Sequence, residues 1–363
     1  MPTLDLTASA ADITRAICDI PSVSDDETLL ADAIEEALAP LAHLEVHRDG
    51  DTIVARTSGG RAQRVVIAGH IDTVPISERE DGRNVPTRDI VIDGEQYIWG
   101  RGTVDMKAGV AVQLKLAAEL TEPAVDITWI WYDHEEVAAE LSGLTRLAAN
   151  RPDLFAGDFA ILGEPTAGLV EGGCNGTLRA VVRTHGVRAH SARAWIGENA
   201  IHAAAPILAR LAEHRPRTLA VDGLDYREGL NAVRISGGVA GNVIPDLCEV
   251  EVNFRFAPSR SDDEAVAHVR RVFQGFEVEI TDLSGGARPG LDAPLAQDFL
   301  RAVGGTPRPK YGWTDVARFS RLGVPAVNYG PGDPLLAHHD EERVLVSQIA
   351  EVERGLRAWL TTP

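Results

Sequence analysis

A chain of 363 residues is too long for one ordinary hydrophobic core, so two domains are expected. Its 54 acidic against 35 basic side chains give a net charge of −19, which argues against nucleic acid as a partner, because binding it needs Lys and Arg to neutralise phosphates. A small anionic substrate remains compatible, since a few local arginines can reverse the field inside a pocket. Cys18, Cys174 and Cys248 form no Cys-x-x-Cys arrangement, and no apolar run approaches the roughly 18 residues of a membrane span, so neither a disulfide framework nor a membrane protein is expected. The opening Met1-Pro2-Thr3-Leu4-Asp5 lacks a basic-then-apolar signal pattern, and a cytoplasmic location is expected.

In chain order, Ser24-Asp25-Asp26-Glu27 has the spacing of a capping box opening a helix with Leu30, Ile34 and Leu38 on its apolar face. Three apolar runs then end in metal-capable side chains. Val65-Val66-Ile67-Ala68-Gly69 leads to His70-Ile71-Asp72, Ile127 to Tyr132 leads to Asp133-His134-Glu135-Glu136, and Phe159-Ala160-Ile161-Leu162-Gly163 leads to Glu164-Pro165. Read as parallel strands, these runs deliver one imidazole and several carboxylates to the carboxyl edge of one sheet, where open α/β folds place ligands. Nitrogen and oxygen donors with no thiolate suit zinc or another borderline divalent ion. Between the first two runs, a helix with Val110, Leu114 and Leu120 among its apolar positions follows Asp105.

From about residue 176 to about residue 290 the order changes to strand, helix, strand, strand, helix, strand, which resembles a ferredoxin-like α+β domain. The elements are expected near 177–184, 199–214, 231–239, 247–256, 262–274 and 276–282. In the fourth of these, Val250, Val252, Phe254 and Phe256 alternate with polar residues, which points Arg255 away from that domain's core. The sheet-edge pattern returns with Val324 to Tyr329, leading to His338 and His339, and a helix from Val344 to Leu360 closes the chain. The expected architecture is a first domain in two parts, 1–175 and 291–363, interrupted by a domain spanning 176–290, with Gly172-Gly173 and Gly285-Gly286 as hinge neighbourhoods.

Each candidate residue also has a plainer reading. A single His after a strand is usually structural, Asp105 alone reads as a helix N-cap, and adjacent acids such as Glu135 and Glu136 are most often a solvated pair. Asp72 shifts the balance at His70, because a carboxylate two residues away orients an imidazole for ligation. The glutamates end a strongly apolar run, so at least one enters a cleft. Such a pair divides labour between holding a metal and moving a proton.

Taken together, His70-Ile71-Asp72, Asp105-Met106-Lys107-Ala108-Gly109, Glu135-Glu136, Gly163-Glu164-Pro165 and Ala337-His338 resemble, in order, the motifs of the M20 family of metallopeptidases and N-acyl-amino-acid amidohydrolases. The resemblance covers nearly the whole chain. It implies an α/β zinc-hydrolase catalytic domain with a mainly parallel sheet and an inserted ferredoxin-like dimerisation domain, assembled as a homodimer. It further implies two zinc ions per subunit, with Co2+ as a substitute, bridged by Asp105. His70 and Glu164 would hold one ion and Glu136 and His338 the other, with Glu135 as the general base and Asp72 orienting His70. His338 is preferred to His339 because the family's final His sits in Ala-His-x-x-x-Glu, and Ala337-His338 is followed by Glu342. One departure is His134, where the family often has Asp before its Glu pair.

Further segments resemble one branch, the succinyl-diaminopimelate desuccinylases. Val187 to Ser191 includes His190, whose counterpart reaches the partner subunit's site and supports an oxyanion. Asn242-Val243-Ile244-Pro245 and Asn253-Phe254-Arg255-Phe256 resemble the branch's substrate-carboxylate motif, and Gly312 to Phe319, with Thr314, its substrate loop; Arg179 is a further candidate. The implied reaction is hydrolysis of N-succinyl-LL-2,6-diaminopimelate to succinate and LL-2,6-diaminopimelate, a step towards lysine. The alternatives are another amidase of the family, such as an N-acetylornithine deacetylase or a dipeptidase, and, from a different class, a metal-dependent binding protein without turnover.

Overall fold

The computed structural model describes residues 2–79 and 82–362. The chain divides into two compact units. One comprises the chain up to Gly172, Gly290–Arg308 and everything from Arg318 on; the other comprises Gly173–Pro289 with Pro309–Ala317.

The first unit is built on a twisted sheet whose centre is parallel. Strands Asp126–Tyr132, Arg64–His70, Phe159–Leu162 and Ala326–Asn328 lie side by side and run the same way. At one edge the hairpin Glu45–Asp49 and Thr52–Arg56 adds two antiparallel strands, and at the other Glu171–Gly172 pairs antiparallel with Ala326–Asn328. The inner strands are buried on both faces, which is why Ile127 to Tyr132 reads as a continuous apolar run. Helix Lys107–Glu119 is buried nearly all round and shows no polar face, as expected of a helix inside the core. Leu30, Ile34 and Leu38 are fully buried, in agreement with the sequence reading.

The capping box expected at Ser24 is absent. The helix spans Thr28–Leu38 with Glu27 at its N-cap and no side-chain cap. Ser24 instead donates to Asp72 Oδ2 at 2.7 Å, and Glu27 Oε1 accepts the His134 N–H at 3.2 Å, so both members of the motif serve the sheet edge. The expected N-cap role of Asp105 likewise falls to Met106. The last helix begins at Val346 rather than Val344, because Arg343–Leu345 forms a strand against Glu95–Trp99.

The second unit contains a four-stranded antiparallel sheet in the order Gly229–Gly237, Leu247–Phe256, Gly176–His185, Glu277–Ser284. With helices Ala200–Ala203, Ala205–Glu213 and Asp262–Val272 this is the ferredoxin-like arrangement. Phe254 and Phe256 enter its core, and Arg255 faces the other way. Pro309–Ala317, which the sequence reading left in the first domain, groups with this unit. The Trp313 indole donates to Gly285 O at 3.1 Å, and Asn175 N to Lys310 O at 3.1 Å. Among the described residues no helix is long and apolar enough to cross a membrane.

Candidate metal centre

All the expected metal ligands lie in the first unit. The strand Arg64–His70 ends on His70, Asp126–Tyr132 runs into the Glu135-Glu136 turn, and Phe159–Leu162 delivers Glu164. Asp105 precedes helix Lys107–Glu119, and His338 follows the turn Pro334–Leu336. His70, Asp105 and Glu164 each offer a donor atom within 4.8 Å of the others. Asp105, Glu136 and His338 form a second such trio, and His70, Glu135 and Glu136 a third.

Asp105 is shared by its two oxygens. Oδ1 lies 3.1 Å from His70 Nε2, and Oδ2 lies 3.3 Å from His338 Nε2, which also meets Glu136 Oε1 at 2.9 Å. On the far side of His70, Nδ1 is 3.0 Å from Asp72 O and 3.3 Å from Asp72 Oδ1. Donation from Nδ1 to Asp72 fixes the ring and leaves Nε2 as the atom that could ligate a metal. The buried Asp72 carboxylate also accepts the N–H groups of Glu135 and Glu136, each at 3.0 Å. One side chain therefore orients both the imidazole and the glutamate turn.

The electrostatics follow from this crowding of carboxylates. Burial alone would disfavour a charged His70, yet its bonds to Asp105 and Asp72 hold it well above the usual imidazole range. His338, bonded to Asp105 and Glu136, is pushed up to about 10. Asp105 is buried, which raises a carboxyl, but the two imidazoles hold it well below the usual range. The cluster demands positive charge, and the lone pairs that take protons are those a metal would take. A donor set of two imidazoles and four carboxylates in overlapping trios, with no thiolate, fits borderline divalent ions.

His338 and His339, inseparable by spacing, part company here. His339 Nδ1 accepts the N–H of Glu341 at 3.1 Å and joins none of the three trios. Glu342 holds a position that sequence reading used only as a marker of register. It is almost wholly buried, its Oε1 accepts the N–H groups of Val104 at 2.9 Å and Asp105 at 3.2 Å, and its Oε2 binds Arg101 at 2.8 Å. It thus fixes the backbone that carries Asp105. His134, the departure from the family pattern, sits at φ 59° and bridges Asp133 at 2.8 Å and Asp25 at 3.0 Å. Two glycines let the loops close. A Cβ on Gly109 or on Gly330 would stand 2.2 Å from Gly163 O, beside Glu164.

The remaining candidates lie in the second unit. His190 pairs with Val243 in a short ladder, where Asn242 O accepts the Ser191 N–H at 2.8 Å, and its Nδ1 accepts from Ala192 N at 3.1 Å. Arg255 stands between Thr177 and Gly229 and donates to Asn253 Oδ1 at 3.1 Å. Burial, with Arg179 nearby, pushes its guanidinium below the usual range. Arg179 is exposed, 3.8 Å from Asp282, and Thr314 is buried with its carbonyl capping Ala317.

A parallel α/β sheet with this donor set at its carboxyl edge is the arrangement of a metal-dependent amide hydrolase. The sequence profile of peptidase family M20/M25/M40 matches residues 66–362, and the chain belongs to that family. A Corynebacterium glutamicum succinyl-diaminopimelate desuccinylase is 47% identical over 371 residues, covering 99% of this chain and 98% of the relative. A Mycobacterium tuberculosis protein provisionally given the same name is 50% identical over 360 residues, covering 98% of this chain and 99% of the relative. Among solved structures, a tripeptidase from Staphylococcus aureus shares the fold with a TM-score of 0.78 at 19% identity, covering 99% of this chain and 98% of its own.

Proposed function

We infer that the chain hydrolyses N-succinyl-LL-2,6-diaminopimelate to succinate and LL-2,6-diaminopimelate with two zinc ions. The near-full-length similarity to desuccinylases supports the substrate. The observation that carries the chemistry is the division of Asp105 between His70 and His338, which suits a carboxylate bridging two ions. His70 and Glu164 would complete one site, Glu136 and His338 the other. Zinc bound there supplies Lewis acidity, lowering the pKa of water and polarising an amide carbonyl.

Glu135 acts as the general base. Asp72 pins its backbone N–H, so its carboxylate is presented from a fixed turn to take the proton of the attacking water and return it to the departing amine. Arg255, with Arg179, Asn242 and Thr314, binds substrate, and a guanidinium grips a carboxylate through two parallel hydrogen bonds. The chain works as a homodimer in which His190 of one subunit supports the oxyanion formed in the other, a contribution worth about 3 kcal/mol for a single donor.

Two measurements test this reading. Titration with zinc should saturate at two equivalents per chain with activity rising alongside, and saturation at one would contradict the bridging role of Asp105. Mixing His190→Ala with Glu135→Gln dimers under subunit exchange should restore part of the activity lost by each, and no recovery despite exchange would contradict the shared site.

A further inference from the structure

Three successive N–H groups of the turn that carries the glutamate pair are held by two buried carboxylates. Asp72 accepts those of Glu135 and Glu136, and Glu27 Oε1 accepts that of His134 at 3.2 Å. Glu27 is a costly residue to bury: it is 1% exposed, and its Oε2 has no hydrogen-bond partner among the described residues. Its other oxygen is turned to the His134 end of the turn.

The ring of His134 is held as well as its N–H. Nδ1 lies 2.8 Å from Asp133 Oδ2 and 3.3 Å from Glu27 Oε1, and Nε2 lies 3.0 Å from Asp25 Oδ1. Both nitrogens face carboxylates, so both donate. Asp133 is fixed in turn by Thr52 of the edge strand at 2.6 Å and by the fork of Arg146, on helix Gly143–Asn150, at 2.7 and 3.0 Å. All these residues belong to the first unit. At φ 59° His134 is left-handed, a conformation that a residue with a side chain keeps only where its surroundings over-determine it.

Glu136 is held from two sides, by Asp72 at its N–H and by His338 at its carboxylate. Glu135 precedes it and is joined directly to His134, so loosening His134 frees Glu135 before it frees Glu136. We propose that Glu27 and His134 are positioning residues for Glu135, Glu27 by holding the His134 N–H and His134 by clamping its ring among Asp25, Glu27 and Asp133. The proposal rests on Glu135 being the general base, and it gives a role to the position where the family often has Asp.

The test measures kcat, KM and bound zinc for each variant, with Glu135→Gln alongside. Its substrate is whichever of N-succinyl-LL-2,6-diaminopimelate and N-acetylornithine wild type hydrolyses faster. Glu27→Ala should lower kcat about 10-fold to 100-fold, the effect of a reacting group misplaced by about 1 Å, with KM and bound zinc as in wild type. Glu27→Gln, which keeps an acceptor oxygen, should recover kcat to within about threefold of wild type. His134→Gly accepts φ 59° freely but has no ring, so it separates backbone shape from the clamp, and its kcat should fall as in Glu27→Ala. His134→Asp would set a fourth carboxylate among three and should lose at least as much. Wild-type kcat in a folded Glu27→Ala, in His134→Gly or in His134→Asp, or loss of zinc in place of kcat, overturns the proposal, while an impaired Glu135→Gln keeps the base reading. The His134 ring is partly exposed, so its two variants decide the matter even if Glu27→Ala does not fold. Wild-type kcat in Glu135→Gln, or hydrolysis of neither compound by wild type, overturns the base reading and the proposal together.

Discussion

At Asp72 a single carboxylate takes bonds from Ser24, from His70 and from the N–H groups of both Glu135 and Glu136. Its burial opposes ionisation, but those bonds hold its carboxyl below the usual range, so it is a fixed negative anchor. Adjacent glutamates on a turn held this way present their side chains separately, which is how one can ligate while the other moves protons. Glu135→Gln should therefore retain its metal and lose about 100-fold to 10,000-fold in kcat. Glu136→Ala should lose metal content instead. A Glu135→Gln enzyme working at near wild-type rate would remove the general base from the mechanism. Among the expected ligands, His70, Glu136 and Glu164 were legible because each follows an apolar strand at the sheet edge, Asp105 because it stands just before a helix, and His338 only through the resemblance of Ala337-His338 and Glu342 to a family motif. Ser24 and Glu27 were misread because the capping-box spacing is a local signal, and the claims of Asp72 and His134 on them come from residues far away in sequence.

Among the elements, the approach of helix Lys107–Glu119 to the Gly163 turn decides whether Asp105 and Glu164 face one point. Gly109 permits it, since an added methyl would overlap Gly163 O at 2.2 Å, and the obstacle is backbone rather than a yielding side chain. Gly109→Ala should destabilise the protein by about 2 kcal/mol or more and weaken zinc binding, measured by chemical denaturation and by competition with a chelator. Wild-type values of both would mean that the loops do not depend on this contact. Long strands and helices were legible from their periodicity; Leu247–Phe256 matched its expected bounds because one face is apolar and the other polar. Several hairpins were missed, and two of them are Arg88–Ile92 with Glu95–Trp99 and Thr218–Val221 with Leu224–Arg227. Each turns on an Asp-Gly pair at positive φ, Asp93-Gly94 and Asp222-Gly223, which is the strongest short hairpin signal a sequence carries.

Across the whole molecule, the order strand, helix, strand, strand, helix, strand announced the second unit, and its antiparallel sheet has the strand order that pattern requires. What the pattern did not convey is that Pro309–Ala317 groups with that unit. Its ties run to Asn175, at the other end of the inserted segment in sequence, and to Gly285, and no local periodicity reports them. The net charge of −19 has a related consequence: a polyanionic substrate would be accepted only where arginines outnumber free carboxylates. The most direct measurement is the rate of primary-amine release from N-succinyl-LL-2,6-diaminopimelate by zinc-loaded protein, with N-acetylornithine run alongside. The expected result is turnover of the succinyl compound with kcat/KM at least about 100-fold above the acetyl compound. Preference for N-acetylornithine, or no amine release from either, would contradict the desuccinylase assignment.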